Sequence, residues 1–219
     1  MRKLLLLLLF TFSLFSLAAQ NTQLALVKYR GGGDWYANPT ALPNLISFCN
    51  DELQSNLQSD YATVELGSSD IYEYPFLHIT GHGNILFDEQ EIKNLEAYLM
   101  AGGFIHIDDN YGMDEYIRPQ LLSIFGPEKF KLLSLNHPIF KGPYSFANGL
   151  PKIHEHDASP PEAWGVHING RLVLIYTFES DLGDGWEDPE VHNDPEEKRQ
   201  AALKMGANII HYAFNGPAL

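Results

Sequence analysis

Cysteine is nearly absent. Cys49 is the only one in 219 residues, so no intramolecular disulfide can form and the fold must rest on an apolar core. Basic residues are also scarce. Fourteen Lys and Arg stand against 28 Asp and Glu, an imbalance that repels nucleic acid and anionic membrane surfaces and suits cations or neutral ligands such as sugars. Several motifs are missing as well. The glycines after Tyr29 are followed by Tyr36 where a dinucleotide fingerprint needs a third glycine, no Gly-Lys-Ser/Thr completes a P-loop, and the acids near residue 180 lack EF-hand spacing. There is no heptad repeat, long linker or low-complexity segment. Long apolar runs are confined to the extreme N-terminus.

That N-terminal stretch, MRKLLLLLLFTFSLFSLAAQ, has the form of a secretory leader. Arg2 and Lys3 precede an apolar segment over Leu4–Leu17, and small residues follow at Ala18 and Ala19. The segment is short for a bilayer-spanning helix, which needs about 20 residues. An uncleaved anchor is the competing reading, and no cysteine follows to take a lipid. The expectation is a protein exported to the periplasm or beyond, with residues 1–20 a signal peptide, no stable membrane insertion after cleavage, and residues 21–219 forming a single domain. Without Arg2 and Lys3, 12 basic residues face 28 acidic ones, a net charge of −16. About 200 residues suffice for one domain with a substantial core.

Apolar runs alternate with helix-like segments. Strands are expected at Leu24–Val27, Ala62–Leu66, Phe76–Thr80, Phe104–Asp108 and Leu172–Phe178. Asn38-Pro39 reads as the start of a helix reaching about Leu57, Asp88–Met100 as a second helix ending at Gly102, and Met113–Phe125 as a shorter third. Asp194-Pro195-Glu196-Glu197 reads as a capping box opening a last helix to about Phe214. Residues 126–170, rich in Pro and Gly, give no clear pattern. Strands alternating with helices predict a three-layer α/β/α sandwich with a mainly parallel sheet.

Ligands of such sheets bind beyond the carboxyl ends of the strands, so the residues at those exits carry the functional reading. The first exit holds Gly31, Gly32, Gly33, Asp34, Trp35 and Tyr36; the third strand leads to His82; the fourth ends on Asp108, Asp109, Asn110 and Tyr111; the last reaches Asp181, Asp184 and Trp186. Turns require glycine, but they do not require His, Asp, Tyr and Trp at every exit. Glycines 31–33 would let backbone N–H groups approach a ligand, with Trp35 and Tyr36 stacking on a flat or sugar face. A tight turn with aromatics over the core is the competing reading. His78 and His106, two residues below the strand ends, are placed roughly 5 Å apart if their strands are paired, either as core histidines or as partners that orient Asp108.

The run Lys152-Ile153-His154-Glu155-His156-Asp157 has the most metal-like spacing. In an extended segment His154 and His156 project to one side, a ligand pair for a divalent metal ion if Asp108, Glu179, Asp181 or His192 adds a further donor. Hydrogen-bonding histidines in a polar loop are the alternative.

YRGGGDWYANPTALPNL, FLHITGHGNI, AGGFIHIDDNYGMD, GLPKIHEHD and FESDLGDGWEDPEVHNDPEEKRQAALKMGANIIHY together resemble the domain-of-unknown-function 4159 family (DUF4159), from about Leu24 to Phe214. The resemblance implies a flavodoxin-like fold of the class I glutamine amidotransferase-like group and no settled activity. Some relatives join this domain to membrane-anchored von Willebrand A-type regions, which this chain lacks. Amidotransferases of the group place a nucleophilic cysteine after a central strand, where this chain has Asp108, and Cys49 lies on a helix. Glutamine amidotransfer is therefore not expected. The leading expectation is an exported hydrolase, metal-dependent or not, acting on a polar or carbohydrate-like small molecule. Asp108, Asp109 and His82 are its catalytic candidates, and His154 and His156 its metal candidates. The alternative is a non-catalytic module binding a sugar, an ion or a protein.

Overall fold

The computed structural model describes residues 21–216; the expected signal peptide lies outside them. In chain order the elements are β1 (Ala25–Val27), α1 (Ala41–Leu53), β2 (Ala62–Val64), β3 (Phe76–Gly81), α2 (Glu89–Met100), β4 (Phe104–Asp109), α3 (Asp114–Phe125), β5 (Phe130–Leu132), β6 (Glu162–Ile168), β7 (Arg171–Phe178), the short helices α4 (Leu182–Trp186) and α5 (Pro189–His192), and α6 (Glu196–Asn215). The seven strands form one sheet ordered β2-β1-β3-β4-β7-β6-β5. The first five in that order run parallel, and β6 and β5 extend the sheet antiparallel.

Alternation along the strands divides the core into two layers. Leu26, Phe76 and Phe104 face one side with α1, α4 and α6, while Ala25, Leu77, Ile79, Ile105 and Ile107 face α2 and α3 on the other. Strands β3 and β4 are buried at every residue, as central parallel strands covered on both faces must be. Among the described residues no helix is long and apolar enough to cross a membrane.

Three expectations are corrected. The first helix begins at Ala41, not at Asn38, and ends at Leu53; Asn38 is drawn instead into a buried hydrogen-bond network with Thr80, Asn110 and Asp184. The last helix has Pro195 at its N-terminal boundary and no side-chain cap, because Asp194 turns toward His154. The indistinct stretch 126–170 contains β5 and β6, and β6 returns into β7 through Asn169-Gly170. Both turn residues have positive φ, 48° and 73°, the conformation that an Asn-Gly hairpin turn supplies.

Candidate metal centre at the carboxyl edge

Because β1, β3, β4 and β7 are neighbours, their exits meet. One residue from each joins a buried network. Thr80 Oγ1, at the end of β3, shares its one proton between Asn38 Oδ1 at 3.1 Å and Asn110 Oδ1 at 3.0 Å. Asn38 and Asn110 both donate to Asp184 Oδ1, at 2.6 and 2.9 Å, and Asn110 also donates to Asn38. One oxygen of Asp184 is thus clamped, and the other, Oδ2, lies 3.1 Å from His154 Nδ1.

His154 is the hub of the cluster. Its Nδ1 also lies 3.6 Å from Asp181 Oδ2, and its Nε2 lies 3.0 Å from Asp194 Oδ2. His156 Nε2 reaches the same Asp181 Oδ2 at 2.6 Å. Two donor sets result, each with its atoms within 4.8 Å of one another: His154, His156 and Asp181, and His154, Asp184 and His192. His192 is already matched to Glu187 at 3.3 Å, which leaves the first set the less committed. Asp181 has no exposed surface, and its Oδ1 has no hydrogen-bond partner.

The electrostatics follow from burial and pairing. Hydrogen bonding to Asp184 outweighs burial at His154 and raises its imidazole to about 9, with Asp194 adding to the effect. Burial works against the Asp184 carboxylate, but the bonds from His154 and Asn38 hold it below the usual range. Asp181, buried near Asp108 and Asp184, is raised to about 9. Its backbone is left-handed, with φ 56°.

The catalytic candidates occupy other surroundings. Asp108 is completely buried; it accepts from Thr177 and, at 2.6 Å, from the Gly183 N–H, and burial raises it to about 7. It pins the start of α4 and does not line the cleft beside His156. Asp109 accepts three backbone N–H bonds, from Tyr111, Met113 and Asp114, at 2.8–2.9 Å, so its carboxylate shapes the loop into α3. His82 pairs with Asp34 at 3.1 Å, outside both donor sets.

The glycine-rich loop is tied down structurally. Gly33 donates to Asn84 O at 2.8 Å, Leu86 to Arg30 O at 2.8 Å, and Arg30 reaches Glu91 on α2 at 2.9 Å. A side chain at Gly31, whose φ is 117°, would meet Asn84 O at 2.8 Å. Residues 31–36 contribute to neither donor set nor to the cleft. Trp35 packs against both core layers, and Tyr36 is exposed. Trp186 is a core residue: it is buried, bonds Ala202 O at 2.8 Å and packs 5.5 Å from His78 and 5.6 Å from His106, leaving no face for a ligand. His78 and His106 are in register, with ring centroids 5.0 Å apart. His106 reaches Asp108 through Thr177, whereas neither ring nitrogen of His78 has a partner.

Asn38, Thr80, Asp194 and the pairing of His192 with Glu187 carry no sequence signal of their own; helix-cap chemistry masks Asn38 and Asp194. A model of the family described as a domain of unknown function, DUF4159, matches residues 23–214. The chain belongs to this family. No curated protein matches it. Within this DUF4159 domain the polar exits of four strands and the segment 151–157 bring together a His/Asp cluster with buried carboxylates and partly exposed imidazoles, the composition of a candidate metal centre.

Proposed function

We propose that this DUF4159 protein is exported, holds a divalent metal ion at His154, His156 and Asp181, with Asp184 positioning the His154 ring, and uses it to hydrolyse a small polar molecule. The convergence of His154 and His156 on the buried, incompletely bonded Asp181 carries this reading. Donors at about 2.0–2.2 Å from one ion stand about 3–3.5 Å apart; the His154–Asp181 contact, 3.6 Å, is near that spacing, and the His156–Asp181 contact, 2.6 Å, lengthens to admit an ion. Two imidazoles with carboxylates suit zinc, iron or manganese. Such an ion supplies a Lewis acid and lowers the pKa of water toward about 7. Cys49 is buried in the core, which supports hydrolysis over cysteine-dependent amidotransfer.

A second reading has its own observation. Both His154 nitrogens already face carboxylates, Asp184 and Asp194, so a protonated His154 closes the cage without an ion. The protein would then be a non-catalytic binding module. Metal content of residues 21–219, purified without chelator or a histidine tag, separates the two. One equivalent of metal is expected, and it should be lost in His156→Ala, a partly exposed site, and in Asp181→Asn. Absence of metal after supplementation with zinc, manganese and ferrous iron would overturn the metal reading.

A further inference from the structure

Beside His156 and Asp181 lies a cleft of about 440 Å³ that the metal reading leaves unused. Six carboxyl groups line it, from Asp109, Asp114, Glu115, Asp157, Glu179 and Asp181. Two are countered by cations: Arg118 lies 2.7 Å from Asp114, and Lys152 lies 2.9 Å from Glu179. Asp109 is committed to its loop. Glu115 and Asp157 are exposed and form no salt bridge among the described residues.

An acidic lining is usually a solvated face. Here a second observation points to a ligand: Asp181, on the wall of the cleft, is 0% exposed and its Oδ1 is unpartnered. Leaving a buried acceptor unmatched is unfavourable. A metal drawn to the Oδ2 that faces both histidines leaves Oδ1 still without a partner. The remaining walls are aromatic. Tyr111 is 51% exposed and stacks on His156 with ring centroids 4.3 Å apart; Phe178 also lines the space, with the Arg118 guanidinium 5.1 Å from its ring centroid. Carboxylates beside aromatic faces recognise ammonium and guanidinium groups, whereas an anion would be repelled and a neutral polyol would use only the hydrogen-bonding part.

We infer that this cleft is a subsite for a cationic group, a primary ammonium or guanidinium, on the molecule at which the metal centre acts. The inference rests on the metal reading for the reaction but not for binding, because Tyr111, Glu115 and Asp157 belong to neither donor set. Calorimetric titration of metal-free and zinc-loaded protein with cadaverine, beside pentanediol as its neutral counterpart, tests it at physiological salt, where exposed charges are screened beyond about 8 Å. One-to-one binding of cadaverine is expected, with the diol about tenfold weaker or undetectable. Combined Glu115→Gln and Asp157→Asn should weaken the amine about tenfold with zinc content and melting temperature unchanged. Equal binding of amine and diol, indifference to the double substitution, or equal displacement by magnesium overturns the subsite. Amine binding without zinc binding removes the metal reading alone; zinc binding without amine binding removes the subsite alone.

Discussion

At the residue scale, the arrangement turns on how Asp184 is held. Asn38 and Asn110 fix its Oδ1, and only then does Oδ2 face His154. Outer-shell bonds of this kind are worth ten- to a hundredfold in metal affinity. Asn110→Ala should therefore weaken zinc binding by about ten- to a hundredfold. Thr80→Val is the control, since Thr80 bonds to both asparagines but not to Asp184. Both substitutions remove buried hydrogen bonds and should cost about 1–3 kcal/mol of stability, yet Thr80→Val should change zinc affinity much less. Equal losses in a competition titration would reduce the network to packing. Side-chain chemistry alone indicates His154 and His156, whose alternate spacing suits a ligand pair, and leaves Asp181 one of four possible further donors. It misassigns Trp186, since an indole in a polar loop reads like a stacking platform until α6 is seen to cover it.

At the scale of elements, α4 is what carries Asp184 and follows Asp181, and its position is set by close packing on α6. A Cβ at Gly185 would overlap the Ala202 Cβ, and neither group can swing away. Gly185→Ala should push α4 off α6, cost about 1–3 kcal/mol and weaken zinc binding with it. Gly67→Ala, whose added carbon meets only Glu91 Cγ at 3.7 Å, should stay within about 0.5 kcal/mol in chemical denaturation. The two helices in 179–195 are not legible in the sequence, because five- and four-residue helices show no periodicity. The β6–β7 hairpin is absent from the reading of 126–170, although Asn169-Gly170 between apolar runs is a hairpin signal. Asp194 misleads for a physical reason, since the same carboxylate that caps a helix in one setting pairs with an imidazole in another.

For the whole molecule, the order β2-β1-β3-β4-β7 is the decisive fact that the sequence does not supply. Alternation of strands and helices indicates a parallel sheet, but only strand order shows that four exits converge. The echo of Phe76-Leu77-His78-Ile79-Thr80 in Phe104-Ile105-His106-Ile107-Asp108 does indicate the central pair in register, and with it the buried imidazoles. That pair has a consequence for global stability. Burial lowers His78 to about 3, and His106 is also lowered well below its usual value. Among the described residues His78 packs on the rings of His106 and Trp186, and Asp108 lies 4.0 Å from His106. A histidine whose folded pKa lies below its unfolded value takes up its proton first in the unfolded chain, so stability falls as pH drops below about 6.5 and continues to fall toward about 3. Between pH 7.5 and 4.5 this one residue should cost about 2–3 kcal/mol. Asp108 and Asp181, raised by burial, act in the opposite direction over the same range, so the wild-type profile alone does not isolate His78. His78→Phe does, because it keeps an aromatic ring while removing the titrating group and two unmatched nitrogens. Urea denaturation at both pH values should show the variant losing about 2–3 kcal/mol less than wild type on acidification. Parallel losses in the two proteins would mean that His78 is solvated or protonated in the native state.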